Sequence, residues 1–92
     1  PVDELAESIK NVKALAIMDK ADSCNGFSGP LFSEVTSALY SKNIHVPAVN
    51  YIYGLGGRDV KISDIESVFE NLSRIAKDGK VGKTTYYLGV RD

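Results

Sequence analysis

Residues 14–18, ALAIM, form an unbroken apolar run between two charged residues. A strand with one covered face alternates apolar and polar residues, so a continuous run is typical of a strand buried on both faces of a sheet. A second run predicts a strand over residues 46–53, where Pro47 is expected among the first residues because it cannot donate to a sheet ladder. Residues 84–90 are β-branched and aromatic and predict a third strand.

Three amphipathic segments alternate with these strands. Residues 2–11 and 31–42 carry apolar residues at helical spacing. The third segment begins near Ser63, which has the spacing of a capping box with Glu66, and it ends at Gly79, a natural helix stop. The order helix, strand, helix, strand, helix, strand predicts an α/β fold. Right-handed crossovers then predict a mostly parallel sheet with helices on its two faces.

The chain has 92 residues, of which 43% are hydrophobic and 25% are charged. This length and composition predict one globular α/β domain over residues 1–92. The formal net charge of −1 argues against a sequence-independent grip on nucleic acid, which needs clustered Lys and Arg. No apolar run approaches the ~20 residues that a membrane span requires.

The chain contains one cysteine, Cys24, and one histidine, His45. They can form neither an intrachain disulfide nor a Cys/His metal set, and this usage predicts a cytoplasmic protein. Because the chain starts at Pro1 without a Met, we expect a piece of a longer polypeptide.

Two loops leave the carboxyl ends of the predicted strands, where ligand crevices lie in open α/β sheets: residues 19–29 and 54–61. Any site of the domain's own is expected there. GLGGRD in the second loop fails the dinucleotide fingerprint, which would need Gly in place of Asp59. GKT at residues 82–84 fails the phosphate-loop spacing, because Lys77 stands where that motif needs Gly. Neither segment therefore supports nucleotide binding.

GLGGRD is instead expected to form a turn in which Gly54, Gly56 or Gly57 adopts a positive φ. We interpret Arg58 and Asp59 as a pair that stabilises this turn or lies at an interface, with direct ligand contact as the alternative. A bidentate grip of Arg58 on a partner's carboxylate is a sharper form of the first interpretation.

Polar residues elsewhere have competing interpretations. Asp19 ends a buried strand at the ligand edge, which suits an acid or base, although an Asp there more often caps the adjoining loop. Asn50 is expected to be a hydrogen-bonded sheet residue, with a role towards a partner or ligand as the alternative. Cys24 has no His close in sequence, and no Ser-His-Asp set is available without His45. We therefore assign no catalytic residue and no metal ligand.

The chain resembles the carboxyl-terminal domain of the alpha chain of pyruvate:ferredoxin oxidoreductase, also called pyruvate synthase, and of related 2-oxoacid:ferredoxin oxidoreductases. The matching segments are ALAIMD, GFSGPLFSEVTSALY, VNYIYGLGGRDV, ISDIE and YYLGVRD. The most specific segment is GLGGRD after an apolar strand, supported by Gly26 and Gly29 around a helix start. This resemblance implies a three-layer αβα sandwich similar to the transketolase carboxyl-terminal domain.

The resemblance also implies an enzyme complex that converts a 2-oxoacid and CoA to an acyl-CoA and CO2 and reduces ferredoxin. Thiamine diphosphate with Mg and the iron-sulfur clusters would be held by other parts of that complex, so no cofactor is expected on this domain. The implied partners are the other domains of the alpha chain and the beta, gamma and delta subunits or their fused equivalents.

The resemblance implies a role for only two elements of this chain, and that role is structural or in contact with other subunits. They are the turn of Gly54, Gly56, Gly57, Arg58 and Asp59 and the loop with Gly26 and Gly29. The alternative hypothesis is a free-standing α/β module that binds a small anion or acyl-CoA at the GLGGRD turn.

Overall fold

The computed structural model describes residues 2–24 and 28–89. Its helices are α1 (Val2–Ile9), α2 (Pro30–Ser41) and α3 (Ile62–Asp78), and its strands are β1 (Leu15–Lys20), β2 (Ala48–Tyr53) and β3 (Thr85–Tyr87). Short 3-10 turns over Ala21–Ser23 and Leu55–Gly57 follow β1 and β2. The predicted order of helices and strands is confirmed. The last strand is shorter than predicted, and Val90, its predicted end, lies outside the described residues.

The three strands form a parallel sheet in the order β1-β2-β3. Leu15 of β1 stands opposite Ala48 of β2, and Asn50 of β2 stands opposite Thr85 of β3. All carboxyl ends therefore meet at one edge, and the loops after β1 and β2 leave from that edge. This confirms the predicted α/β class.

Helices cover both faces of the sheet. On one face, Ile17 of β1 packs with Val35 and Leu39 of α2, and α1 adds Leu5 and Ile9 to this cluster. On the other face, residues of β2 pack against α3: Val49 and Tyr51 form a cluster with Val68 and Ile75. The layers are thus α1 and α2, the sheet, and α3, which confirms the three-layer αβα arrangement and explains the unbroken apolar runs.

The two crossover helices, α2 and α3, lie on opposite faces of a sheet whose strand order follows the chain. Two right-handed crossovers in such a sheet would place both helices on one face, so one of these crossovers is left-handed, a rare arrangement. The physical reason is that β1 and β2 carry apolar side chains on both faces of the sheet. If both crossover helices lay on one face, the apolar side chains of the other face would be exposed to water. The expectation of helices on both faces is confirmed, but not by two right-handed crossovers.

The start of α3 differs from the sequence prediction. The helix begins at Ile62, and the carboxylate of Asp64 accepts a hydrogen bond from the backbone N–H of Lys61 at 2.9 Å. The predicted capping box of Ser63 and Glu66 was therefore wrong, because Ser63 already lies inside the helix and its side chain cannot cap it. The predicted stop at Gly79 is confirmed, since Gly79 has φ +74° and donates to the Ile75 carbonyl at 2.7 Å.

Candidate functional site at the carboxyl edge of the sheet

A buried polar pair, Asp19 and Asn50, lies at the carboxyl edge on the face covered by α2. Their exposed fractions are 4% and 0%. Ile17 stands opposite Asn50 in the ladder, and Asp19 follows two residues later on the same face. Asn50 Nδ2 donates to Asp19 Oδ2 at 3.0 Å and to the carbonyl of Ile17 at 3.1 Å. The predicted role of Asn50 as a hydrogen-bonded sheet residue is confirmed.

The same pair binds the start of α2. The N–H of Gly29 donates to Asn50 Oδ1 at 2.9 Å, and the N–H groups of Leu31 and Phe32 donate to the two carboxylate oxygens of Asp19 at 2.8 and 3.1 Å. A carboxylate at a helix amino terminus satisfies orphan N–H groups and complements the helix dipole. Asp19 is therefore a capping residue, but it caps the start of α2, eleven residues later, whereas the sequence interpretation had it cap the adjoining loop.

Gly29 allows this close approach. A Cβ atom placed on Gly29 would lie 2.0 Å from Asp19 Cγ and 2.2 Å from Asp19 Cβ, closer than any real contact. Its φ of −77° is open to all residues, so lack of a side chain, rather than backbone freedom, is what this position requires. Gly26, paired with Gly29 in the sequence prediction, lies outside the described residues.

The GLGGRD turn follows β2 at the same edge. Gly54, Gly56 and Gly57 all have positive φ values, +80°, +64° and +75°. The sequence predicted a positive φ for one of these three glycines, and all three have it. Three left-handed residues within four positions coil the chain tightly, and this explains why the segment is rich in glycine.

Arg58 connects this turn to the end of β3. Its Nη1 donates to the carbonyl of Gly89 at 2.9 Å, while its side chain stays exposed. Arg58 and Asp59 form no ion pair with each other among the described contacts. The bond to Gly89 favours the turn-stabilising interpretation of Arg58. Gly89 was not singled out from the sequence, because no local pattern marks a carbonyl that a residue 31 positions away will bind.

An open crevice of about 800 Å³ lies beside Arg58 and Asp59, lined also by Gly57, Lys61, Ser63, Asp64 and Gly89. Two cationic residues, Arg58 and Lys61, line it and would favour an anion, but the carboxylates of Asp59 and Asp64 line it too. The amino terminus of α3 beside it is already bound by Asp64. An anion would therefore meet a carboxylate at the place where helix N–H groups usually bind it.

Cys24 lies in the loop that follows β1. Burial raises its pKa, and the charges of Asp19 and Asp22 raise it further. Its Sγ donates to the carbonyl of Lys20 at 3.3 Å. Since the thiolate is the reactive form, these contacts argue against a nucleophilic role.

Tyr51 belongs to the core beneath α3. Its hydroxyl accepts a hydrogen bond from Asn71 at 2.8 Å, and its ring stacks on Tyr86 with centroids 5.2 Å apart. Burial raises the pKa of Tyr51, and the hydrogen bond from Asn71 opposes this in part. Tyr51 is therefore part of the core between β2 and α3. Asn71 was missed because its only sequence signal is a polar residue beside an apolar stripe.

His45 is exposed at the opposite edge of the sheet. It lines an apolar cleft of about 400 Å³ near the amino ends of β2 and β3, far from the loops that follow β1 and β2. Within residues 2–24 and 28–89, no group of three His, Cys, Asp or Glu residues could hold a metal ion. In the same part of the chain, no helix is long and apolar enough to cross a membrane.

Comparison with known proteins identifies the family. Residues 1–65 match the family model described as pyruvate:ferredoxin oxidoreductase core domain II. The ketoisovalerate oxidoreductase subunit VorA of Pyrococcus furiosus is 41% identical over 83 residues, which cover 90% of this chain. The pyruvate synthase subunit PorA of Methanosarcina barkeri is 35% identical over 79 residues, which cover 86%.

A more distant relative is the alpha subunit of the NADH-dependent phenylglyoxylate dehydrogenase of Aromatoleum evansii, 27% identical over 92 residues and so over the whole chain. The chain spans only about a fifth of these relatives, 21%, 20% and 22% of their lengths in the order given. The family match extends over most of the chain and includes β1, α2, β2 and the GLGGRD turn. The chain therefore belongs to the pyruvate:ferredoxin oxidoreductase core domain II family.

Proposed function

We propose that this chain is a non-catalytic assembly domain of the alpha chain of a cytoplasmic 2-oxoacid:ferredoxin oxidoreductase, with pyruvate as the expected 2-oxoacid. The complex would convert the 2-oxoacid and CoA to acyl-CoA, CO2 and reduced ferredoxin. Thiamine diphosphate, Mg and iron-sulfur clusters would be bound by other parts of it. Support comes from relatives that are named as subunits of pyruvate synthase and ketoisovalerate oxidoreductase and that are about five times longer.

The observation that carries this proposal is that the potentially reactive groups at the carboxyl edge of the sheet are engaged in contacts with the protein's own atoms. The Asp19 carboxylate accepts two helix N–H groups and the Asn50 amide, and it is 4% exposed. Burial raises the pKa of the Cys24 thiol, and the charges of Asp19 and Asp22 raise it further. An acid, base or nucleophile must reach the substrate in the right protonation state. Groups held in this way support a scaffold better than a catalyst.

The GLGGRD turn is the proposed contact with the other subunits. Leu55, Gly56, Arg58 and Asp59 are exposed on a turn whose shape is set by glycine conformation and by the bond from Arg58 to Gly89. A guanidinium has five N–H donors in a planar fork, so Arg58 can serve Gly89 and also bind a carboxylate of a partner. The exposed pair would therefore orient a neighbouring subunit.

Calorimetric titration of the chain, with its folding verified by circular dichroism, tests this proposal. Thiamine diphosphate should give no binding heat in the micromolar range, because the proposal assigns its site to other parts of the complex. A clear micromolar isotherm would overturn the assembly role.

A parallel titration with acetyl-CoA and inorganic phosphate tests the rival module, which the two cationic residues at the open crevice favour. Binding by the unaltered chain, lost in Arg58→Ala and kept in Lys77→Ala, would establish that rival. Lys77 is the control because it carries the same charge in the last turn of α3 and does not line the crevice.

A further inference from the structure

An open cavity of about 380 Å³ lies between α3 and the end of β3. β2 contributes Tyr51 to its wall, α3 contributes Asp64, Ser67 and Asn71, and residues 86–89 complete it. Its volume is in the range of small-molecule sites, which combine an apolar wall with a few polar groups. The arginine of the GLGGRD turn does not line this cavity.

A chain of hydrogen bonds leads from Arg74 to the wall of the cavity. Arg74 Nη2 and Nε donate to Asn71 Oδ1 at 3.0 and 3.3 Å, and Asn71 Nδ2 donates to the hydroxyl oxygen of Tyr51 at 2.8 Å. A guanidinium has only donors, so Asn71 must turn its oxygen to Arg74 and its NH2 group to Tyr51. Arg74 also donates to the carbonyls of Lys80 and Val81, at 3.1 Å each. The direction of this chain, the Arg74–Tyr51 relay, is therefore fixed from outside the cavity.

The relay leaves the hydroxyl of Tyr51 with a proton to donate. Its oxygen accepts from Asn71, and no acceptor for its own proton occurs among the described contacts. Tyr51 is only 3% exposed, and its ring is held by the stack on Tyr86. Hydrogen bonds in a chain polarise one another, so this proton is a stronger donor than that of an isolated phenol. A ligand with an acceptor oxygen would complete the relay.

Asp64 and Ser67 restrict the chemistry of such a ligand. Among the described residues that line the cavity, Asp64 is the one with a charged side chain, so it would repel a carboxylate or phosphate. Ser67 Oγ donates its proton to the carbonyl of Asp64 at 2.8 Å, which leaves the oxygen of Ser67 able to accept. The wall thus offers a donor at Tyr51 and an acceptor at Ser67. A neutral amide matches this pattern with its carbonyl and N–H groups.

We propose that this cavity binds a small neutral amide with a flat apolar body. The carbonyl oxygen of the ligand would accept the hydroxyl proton of Tyr51, and its N–H group would donate to Ser67 Oγ. Its apolar body would lie against the side chains of Tyr86 and Leu88, which line the same wall. This site goes beyond the proposed assembly role and does not depend on it.

Chemical-shift titration of the 92-residue chain with benzamide tests this proposal. Benzamide should shift the resonances of Ser67, Asn71 and Leu88 with a Kd on the order of 1 mM, the range of a ligand with few contacts. The hydroxyl proton of Tyr51 should become observable, because a bonded and shielded proton exchanges slowly. Benzoate has the same shape with a carboxylate and should bind at least about tenfold more weakly because of Asp64. No shifts around the cavity, or equal binding of benzoate, would overturn the proposal.

A pair of variants tests the donor itself. Tyr51→Phe removes the hydroxyl and keeps the ring, so it should weaken benzamide binding by roughly tenfold or more. Tyr53→Phe is the matched control, because Tyr53 lies on the same strand and does not line the cavity, and it should leave binding unchanged. Equal binding by the two variants would contradict the role of the relay. A Tyr51 hydroxyl proton that is observable without benzamide and does not respond to it would show that water alone fills the cavity, which also overturns the proposal.

Saturation-transfer NMR, which observes the ligand, extends the test to the complete alpha chain in its complex. Benzamide that still binds there, and competes with other small aromatic amides, would support a small-molecule site. Loss of benzamide binding in the complex would assign the cavity to a side chain of a neighbouring subunit and overturn the proposal.

Discussion

Gly29 sits where the start of α2 touches the carboxylate of Asp19. We expect Gly29→Ala to destabilise the fold by about 3 kcal/mol or more, because overpacking alone costs roughly 1–3 kcal/mol and the displaced carboxylate would also lose buried hydrogen bonds. Urea unfolding followed by circular dichroism measures the loss. The added Cβ atom would clash with the buried side chain of Asp19, which is fixed by its hydrogen bonds. The surrounding structure can therefore relax little.

Gly56→Ala is the control for this experiment. Gly56 has φ +64°, and nothing lies within 4 Å of the Cβ that it would gain. Gly56→Ala should destabilise the fold only by the cost of placing a residue with a Cβ atom in the left-handed conformation, roughly 1–2 kcal/mol. An equal or smaller loss in Gly29→Ala would contradict the close-approach argument.

The sequence predicted single residues well where the signal was local. Asn50 and Asp19 interrupt or end apolar runs, and burial of a polar residue implies a hydrogen-bonding partner. Their actual partners, the N–H groups of Gly29, Leu31 and Phe32, could not be predicted. They depend on how α2 packs across the sheet, which local spacing does not contain.

At the start of α3, Asp64 is the residue that caps the helix, by accepting the N–H of Lys61. Asp64→Ala should therefore cost about 1 kcal/mol of stability, from the lost cap and from the lost negative charge near the helix dipole. Ser63→Ala should cost much less. Thermal or urea unfolding of both variants gives the comparison, and the reverse ranking would restore the Ser63–Glu66 capping box.

The packing between α3 and β2 should make the fold sensitive to alkaline pH through Tyr51. Its folded pKa is raised by burial, so the unfolded chain loses this proton first as the pH rises past 10. The stabilisation is complete below that pH and is lost progressively above it. Denaturant unfolding at pH 8 and pH 11 should show a smaller loss in Tyr51→Phe than in the unaltered chain. An identical loss of stability in both proteins would refute the role of Tyr51 in the alkaline destabilisation.

The number and order of helices and strands followed from apolar patterns, because long periodic stretches and unbroken runs report burial directly. The capping box was wrong because two acidic residues, Asp64 and Glu66, compete for the start of α3 and their spacing alone does not choose between them. The hand of the crossovers was also beyond sequence patterns. It depends on which face remains uncovered after α1 and α2 have packed, a property of the assembled sheet.

On the scale of the molecule, the carboxyl edge that usually holds a ligand is occupied by the protein's own contacts. Asp19 and Asn50 bind the start of α2, Asp64 binds the start of α3, and Arg58 binds the end of β3. The GLGGRD turn stays exposed at this edge. It is therefore the surface that the proposed assembly role assigns to contact with other subunits.

The most direct test is Arg58→Ala in the complete alpha chain, with turnover measured per assembled complex and Lys77→Ala as the control. Removing Arg58 should weaken the GLGGRD turn as a contact while leaving the chemistry untouched. We predict a lower yield of assembled complex, by roughly tenfold if one buried charged contact of about 1.4 kcal/mol is lost, and an unchanged kcat for the complexes that form. Normal assembly with a reduced kcat would contradict the assembly role and place Arg58 in the chemistry.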